Sequence, residues 1–550
     1  MIAHSVDDPL YYLHNFRQVL HWVGQRYADL LDRHEHAFLT QFAELPQAAQ
    51  ALLVRMVMRK GELFREDRLD YAEIGETAAA LEPLLALDWV CVAPLLDLEQ
   101  LFALLRKDEL VHCFADRLSQ PKATKGRLLA ELQPLSLAER RLNDWYEGTP
   151  LRIVHWRLQP LCDRLRLLFF GNLYQDWSEF VLADLGLLRY EQVSFSLDSR
   201  ALRHRDDVDL ALALHACAER LELGEAPGAL LASLSCLNSA NPWLARRRAR
   251  VLYAIGQQCE RLGEWSLATE VYQGLAHPQA RIRQVRVLER SERWQCAHAL
   301  AQHMAEAPAN ALEVQALARM LPRLARKLGG PPRRRRATVV EELIELQLPF
   351  ETAGQGVERA VRDHLQNGGG EVHYVENTLF NSLFGLLCWD AIFAPLPGAF
   401  FHPYQSAPQD LHDDDFQLRR TELFEACFAQ LDDGRYRQTI RERFVSKHGL
   451  QSPFVFWGAL NDTLLEQALA CVPAEHLKQC FARLLQDIRN NRTGMPDLIQ
   501  FWPEQGRYRM IEVKGPGDRL QDNQLRWLEF CKTHAMPLAV CHVRWCEAAA

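Results

Sequence analysis

The sequence predicts a chain of several domains, mostly helical, that ends in an α/β domain with a mixed sheet flanked by helices. Three observations carry that fold class. First, 550 residues exceed what one hydrophobic core organises, so roughly two to four domains are expected. Second, from about residue 207 to 328 apolar and alanine positions recur at helical spacing almost without a break. Third, beyond a Gly/Pro/Arg-rich interruption the pattern changes to two short apolar runs around a polar turn, an amphipathic helix and a last apolar run.

Composition removes several classes of function. With 48% hydrophobic and 24% charged residues the chain reads as a soluble globular protein. It has no uninterrupted apolar run of about 18 residues, the length a membrane helix needs. Its start, from Met1 to Asp8, lacks the basic and apolar segments of a signal peptide. The 14 cysteines are scattered without a C-x₂-C pair, which argues for reduced thiols and a cytoplasmic setting. A net charge of −8 excludes a uniformly basic nucleic-acid binder, though not one whose positive charge is local.

Residues 1–94 read as a helical, winged-helix-like region. Tyr12, Phe16, Val19, Leu20 and Val23 fall at helical spacing, and a second helix spans Leu45 to Met58. A strand fits Arg59 to Arg65, a helix Tyr71 to Leu87, and another strand Trp89 to Val92. Arg55, Arg59, Lys60 and Arg65 form a basic cluster suited to phosphate, and equally to a solvated helix face. Residues 95–135 read as helix-linker-helix, with Leu101, Leu104, Leu105 and Leu110 on one face. Lys122, Lys125 and Arg127 stand near the second helix start, where free backbone N–H groups also favour phosphate. The pattern resembles a SAP-type DNA-binding module. A connecting region, 136–206, carries Trp156, Phe169, Phe170, Tyr174, Trp177, Phe180 and Tyr190, for which a core position is the default.

Residues 207–328 form the helical run. Leu252, Ile255, Cys259 and Leu262 mark one helix, and Gly263 breaks it before Trp265, Ala268 and Tyr272 begin the next. That W-x-x-A-x-x-x-Y spacing resembles tetratricopeptide hairpins, so a TPR-like α-solenoid of irregular period is expected. Arg283 and Arg286 share a helix face, with Arg281 near the helix start. Arg246-Arg247-Arg248 and Arg333 to Arg336 add positive charge, and each cluster alone fits a solvated surface. Residues 329–338, from Gly329-Gly330-Pro331-Pro332 through the four arginines, read as a linker. The arginine run is also compatible with a nuclear address if the source is eukaryotic.

The last region, 339–550, carries the chemistry. Helices are expected over Val339 to Leu346 and Glu358 to Leu365, and an apolar helix comes after Glu376. Gly494-Met495-Pro496-Asp497 opens the run Leu498 to Trp502. A Pro/Gly-bearing turn leads into Tyr508 to Val513, so the two runs read as a β-hairpin. Period-two alternation puts Glu512 and Lys514 on one face and Val513 on the other. Carboxylates of Asp497 and Glu512 brought together are costly unless they hold a hard cation, Mg²⁺ or Mn²⁺. Lys514 is then placed to orient or deprotonate an attacking water. Against this stands the bland alternative of a solvated edge-strand pair and a Pro-Asp turn. A helix, Gln521 to His534, and a strand, Leu538 to Val543, complete the core.

The spaced P-D and E-x-K resemble the metal-dependent PD-(D/E)XK nuclease superfamily. E-N-x-L…L-F-G-L-L-x-W-D-x-I-F (Glu376 to Phe393), G-M-P-D-L and I-E-V-K-G-P-x-D-R-L (ending at Leu520) resemble the VRR-NUC family. Over nearly the whole chain the likeness is to the Fanconi-associated nucleases, with Leu53 to Tyr71 matching the region ahead of their SAP module. The resemblance implies Glu376, Asp497 and Glu512 as metal ligands with the Val513 carbonyl, and Lys514 as the catalytic lysine. It also implies Gln524 as a supporting residue behind them. Arg281 resembles an arginine that in the animal enzyme helps hold the 5′-terminal phosphate of a flap.

By activity, the resemblance implies a metal-dependent, structure-selective DNA nuclease of phosphodiesterase I type. It would incise near 5′ flaps and resect from 5′ ends, with a place in interstrand crosslink repair. Its partners would be flapped, nicked or gapped duplexes, and no membrane. No Cys/His zinc finger stands ahead of residue 10, so ubiquitin reading is not expected and a bacterial, nucleoid-associated member is. Whether two copies assemble on DNA is left open. Two other classes remain as alternatives: a non-catalytic DNA-junction scaffold on a degenerate nuclease fold, and a protein-interaction solenoid.

Overall fold

The computed structural model describes residues 8–175, 177, 188–331, 342–349, 354, 356–366 and 369–546. It divides into two compact units: the described residues up to 177 with Leu202–Leu212, and Leu188–Ala201 with the described residues from 213 onward. Phe180 and the run Arg333 to Arg336 lie outside the described residues. Among those described, no helix is long and apolar enough to cross a membrane.

In the first unit, helix Tyr11–Arg26 turns Tyr12, Phe16, Val19, Leu20 and Val23 inward, the stripe its spacing predicts. Helix Gln47–Val57 lies where expected. Between them stands Arg33–Glu44, a helix the sequence reading passes over because its start is wholly polar. Asp32 and Glu35 cap that start reciprocally, each side chain taking the other's backbone N–H at 2.9 Å. Phe38 and Phe42 bury its inner face. Strand β1 (Leu63–Arg65) and strand β2 (Val90–Val92) also match expectation, but the helix between them begins at Thr77 rather than Tyr71. Gly75, at φ +79°, holds a left-handed turn that the helix cannot continue through.

Strand β3 (Leu95–Leu96) pairs with β4 (Arg140–Arg141) around helices Leu98–Leu104, Lys107–Cys113 and Lys125–Leu132. Leu101, Leu110, Leu128, Leu132 and Trp145 form their shared core. Strand β5 (Ile153–Trp156) then inserts between β1 and β2, antiparallel to both. The helix-linker-helix module is thus an insertion within the N-terminal sheet, which the connecting region completes. Of that region's aromatics, Trp156, Phe169, Phe170 and Trp177 are buried, as their type suggests. Tyr174 is not: it is 84% exposed, at a turn where Asn172 Oδ1 accepts the N–H groups of Tyr174 and Gln175.

The second unit contains a run of helices, Pro227–Ser235, Pro242–Leu262, Trp265–Tyr272, Ala280–Arg290, Trp294–Glu306 and Ala311–Lys327, each packed on the next. Then come five strands: β6 (Leu343–Pro349), β7 (Glu371–Tyr374), β8 (Leu498–Trp502), β9 (Arg507–Lys514) and β10 (Leu538–Cys546). Their order is β6-β10-β9-β8-β7. β10 runs parallel to β6 and β9, whereas β9, β8 and β7 are antiparallel, so the sheet is mixed as expected.

One expectation fails here. Leu343 to Leu346 are strand, not the end of a helix over Val339 to Leu346. Seven consecutive pairings with β10 outweigh the helix preference of Leu and Glu.

Helix Val357–Gln366 covers one face, Ala360 and Val361 packing with Leu498, Ile511 and Val513. Helix Asp522–Thr533 covers the other, its Trp527 and Cys531 sharing a core with Ile499 and Met510. Between β7 and β8 lies a helical insertion that the sequence reading leaves undivided. Its helix Leu379–Leu387 has every residue buried, against Thr421–Asp433, Tyr436–Ser446 and Ala474–Gln486.

Candidate active site

Register brings the acidic residues together. β8 and β9 pair Leu498 with Ile511, so one step further along the hairpin Asp497 stands across from Glu512. Asp497 Oδ2 accepts the Val513 N–H at 2.8 Å. Val513 turns its own side chain into the opposite core, as alternation predicts. On the far side β7 pairs Tyr374 with Leu498, and the Val375 N–H donates to the Asp497 carbonyl at 2.9 Å. Glu376 comes immediately after. It lies in the turn beyond β7, ahead of the Thr378 cap, and is not a first-turn residue of the next helix.

Glu512 is 0% exposed, and Asp497 and Lys514 are 7% exposed. Lys514 Nζ lies 2.8 Å from Glu512 Oε1. Gln524 bridges the pair: its Nε2 donates to Glu512 Oε1 at 2.6 Å, and its Oε1 accepts from Lys514 Nζ at 3.2 Å. Gln524 also accepts the Gln521 N–H in the helix cap, so the first turn of Asp522–Thr533 sets its position. Gly494 admits that turn. At φ +88° it lets the Pro-Asp loop approach Asn523 so closely that a Cβ would meet the Asn523 backbone at 2.7 Å.

The charge is under-compensated. Among the described residues, Glu512 Oε2 is buried with no hydrogen-bond partner. Burial, then Asp497, push the Glu512 carboxyl up to about 7 despite Lys514. Burial likewise pushes Asp497 up to about 6, against the Val513 N–H, with Glu376 adding to the rise. The Glu376 charge contributes to the rise at both carboxyls, so it lies within electrostatic reach of them. Glu358, on helix Val357–Gln366, adds negative potential at Asp497, and the sequence reading overlooks it because a helical Glu is unremarkable in sequence. Glu376 itself is exposed, its carboxylate taking hydrogen bonds from the Tyr374 hydroxyl and, at 3.2 Å, from Asn377 Nδ2.

Among the described residues no three acidic, histidine or cysteine side chains already stand around one point as a formed metal cluster. The chemistry of the donors nonetheless fits a hard divalent ion: clustered carboxylates, one with an orphaned buried oxygen, beside a single ammonium.

The basic residues predicted to touch phosphate divide into two sorts. Arg55 is ion-paired with Glu73 and stacked 3.9 Å over Tyr12, and Arg65 is held by Asp67 and by Glu109 at 2.6 Å. Lys125 Nζ caps the Leu105 carbonyl at 2.7 Å. Arg281 contacts buried Glu313 at 3.4 Å and Arg283 contacts Glu260 at 3.3 Å. By contrast Arg59, Lys60, Lys122, Arg127 and Arg286 are exposed.

Two carboxylates and a lysine on a hairpin of a mixed sheet, with a helix behind them, define a nuclease domain of the VRR-NUC class, and the VRR-NUC domain family matches residues 431–545. The FAN1 HTH domain matches residues 10–91, and the Fanconi anemia-associated nuclease SAP domain matches 95–145. The Fanconi-associated nuclease 1 homolog of Pseudomonas aeruginosa is 58% identical over 541 residues, 98% of this chain and 97% of that protein. The Arabidopsis thaliana homolog is 26% identical over 631 residues, 99% of this chain and 68% of its own. A crystal structure of paFAN1 bound to 5′-flap DNA with a two-nucleotide flap and a gap matches with a TM-score of 0.89 and 57% identity, over 99% of this chain and all of that one. The chain belongs to the Fanconi-associated nuclease 1 family.

Proposed function

We propose that the protein is a divalent-metal-dependent, structure-selective DNA nuclease that cuts phosphodiesters at 5′ flaps and resects from 5′ ends. Its cellular role would lie in DNA repair, including interstrand crosslinks. The observation that carries this is Glu512: a fully buried carboxylate opposite Asp497, with one oxygen lacking a partner among the described residues and a lysine as its neighbour. The paFAN1 structures with 5′-flap DNA support the substrate class.

Asp497, Glu512, Glu376 and the Val513 carbonyl would hold Mg²⁺ or Mn²⁺. The ion would supply a more acidic bound water and charge neutralisation at the scissile phosphate. Lys514, steered by Gln524 and Glu512, would orient the water whose oxygen bonds to phosphorus as one P–O ester bond breaks. Its three donors suit the negative charge that develops there. Exposed Arg59, Lys60, Lys122, Arg127 and Arg286 would contact phosphates, which carry no base identity, so selectivity would be for DNA shape. Arg281 would hold a flap's 5′-phosphate by exchanging Glu313 for it.

The test is cleavage of a labelled 5′-flap duplex with Mn²⁺, abolished by EDTA. Wild-type cleavage by Asp497→Ala or Lys514→Ala would remove the assignment. For Arg281, flaps with and without a 5′-phosphate are compared. An equal response in wild type and Arg281→Ala discards that pocket.

A further inference from the structure

Asn377 is bent in a way few residues tolerate. Its φ is +54°, in the left-handed region that a side chain with a Cβ disfavours, although asparagine enters it more readily than most. Such a conformation persists only where the surroundings hold it. Here they do so at two of its groups. Asn377 Oδ1 accepts the Met495 N–H at 3.1 Å, across 118 residues of sequence. Its carbonyl accepts from Asn381 Nδ2 at 2.7 Å, and the same amide reaches the Arg492 carbonyl at 2.9 Å. Asn381 is 1% exposed, so this strap is anchored in the core.

The remaining polar atom of the Asn377 side chain, Nδ2, points to Glu376 Oε1. The Tyr374 hydroxyl takes the other oxygen, Oε2. One carboxylate therefore has a donor on each oxygen, and one of those donors is tied to the loop that carries Asp497. Hydrogen bonds of this kind fix the rotamer of a ligand while leaving each oxygen a lone pair. Glu376 needs such help more than its partners. It is exposed and sits in a turn, whereas Asp497 and Glu512 are held by sheet register and burial.

We infer that Asn377 is a positioning residue. With Tyr374 it clamps the Glu376 carboxylate and, through Met495, sets its distance from Asp497, pre-forming the third corner of a divalent-cation site. The inference rests on the metal-dependent reading above.

Asn377→Gly separates the clamp from the backbone, because glycine accepts the left-handed φ and loses only the carboxamide. Tyr374→Phe removes the other donor from a half-exposed side chain. Mn²⁺ affinity is measured by titration calorimetry on the full chain without DNA, beside flap cleavage at saturating Mn²⁺. Asn377→Gly is expected to raise the Mn²⁺ Kd by roughly 10-fold or more, the range for residues behind a metal ligand, and Tyr374→Phe by less. Loss of the Met495 hydrogen bond should lower the metal-free Tm of Asn377→Gly slightly, whereas Tyr374→Phe should raise the Mn²⁺ Kd at an unchanged Tm, which a merely structural role would not allow. KM for the flap should be unchanged, and kcat should fall at limiting Mn²⁺ and return toward wild type at saturating Mn²⁺.

Unchanged or tighter Mn²⁺ binding by Asn377→Gly overturns the assignment, and if that variant does not fold, Tyr374→Phe decides by the same criterion. Asp497→Ala tells the two failures apart. If it too binds Mn²⁺ as wild type does, the metal reading itself falls. If it alone loses the ion, only the clamp does.

Discussion

Glu512 on β9 and Arg55 on helix Gln47–Val57 are both charged groups carried inward by regular structure, yet the molecule treats them differently. Arg55 meets Glu73 and the faces of Tyr12 and Tyr71, so its charge is matched on every side the structure shows. Among the described residues, Glu512 meets one ammonium and one amide, both on Oε1, and its other oxygen is buried without a partner. A matched, half-buried charge is what folding alone would retain. An unmatched buried one costs stability, and under the proposed function its persistence reflects a cation that arrives later. Under that reading, completeness of compensation rather than charge type separates a functional residue from a structural one.

The sharpest way to break that contrast is Glu512→Gln. It is expected to reduce flap cleavage to the level of a protein-free control while stabilising the metal-free protein above neutral pH. The direction of the shift sets the sign. Glu512 titrates at about 7 in the folded chain, above the ordinary 4.5, so its contribution is fully present below 4.5 and is lost as pH rises through 7. The loss is on the order of 3 kcal/mol. Thermal melts in EDTA should show wild type losing stability between pH 5 and 8, and Glu512→Gln losing less. Parallel curves would mean that the carboxylate is compensated after all.

Gln524 gives the next largest effect. It stands between Glu512 and Lys514 and answers to both, so Gln524→Leu should free the lysine and remove a donor from the carboxylate. A loss of roughly 10- to 100-fold in Mn²⁺ affinity or cleavage is expected, with the fold intact by circular dichroism. An effect below twofold would mean that Lys514 and Glu512 hold each other without help.

How much of this the sequence shows depends on how local the cause is. The hairpin around Asp497 and Glu512 is legible because alternation and a Pro/Gly turn are written into neighbouring residues. The placement of Glu376 directly after β7, whose Tyr374 pairs with Leu498, is not legible from spacing. It depends on β7, a four-residue strand, and on an insertion whose helices pack among themselves before returning the chain at Arg492. Resemblance supplies that residue, and local pattern does not. Strand β6 reads as helix for a related reason: Leu-Ile-Glu-Leu is sound helix sequence until a parallel neighbour is present. The capping pair of Asp32 and Glu35 is legible in principle, since Asp-x-x-Glu ahead of Phe38 and Phe42 is a start signal, but polarity conceals the helix behind it. Partners of the basic residues are invisible, because Glu73, Glu109, Glu260 and Glu313 reach them only through the fold.

The basic residues offer the smallest and most discriminating effects. Removing a phosphate contact weakens DNA binding uniformly and lowers the slope of log K against log salt by about 0.9 per contact. Exposed Arg286, on helix Ala280–Arg290, should behave this way when changed to Ala, and Arg59→Ala with Lys60→Ala should remove up to twice as much slope. None of these changes should move Tm measurably. Arg55→Ala should do the reverse. It leaves Glu73 without its guanidinium and Tyr12 without its stacked cation, which costs about 2 kcal/mol of stability, while the salt slope of the folded protein stays at the wild-type value. If Arg55→Ala instead lowers the slope and leaves Tm alone, Glu73 is a placeholder that DNA displaces. Compensation in the free protein would then no longer distinguish a structural arginine from a binding one.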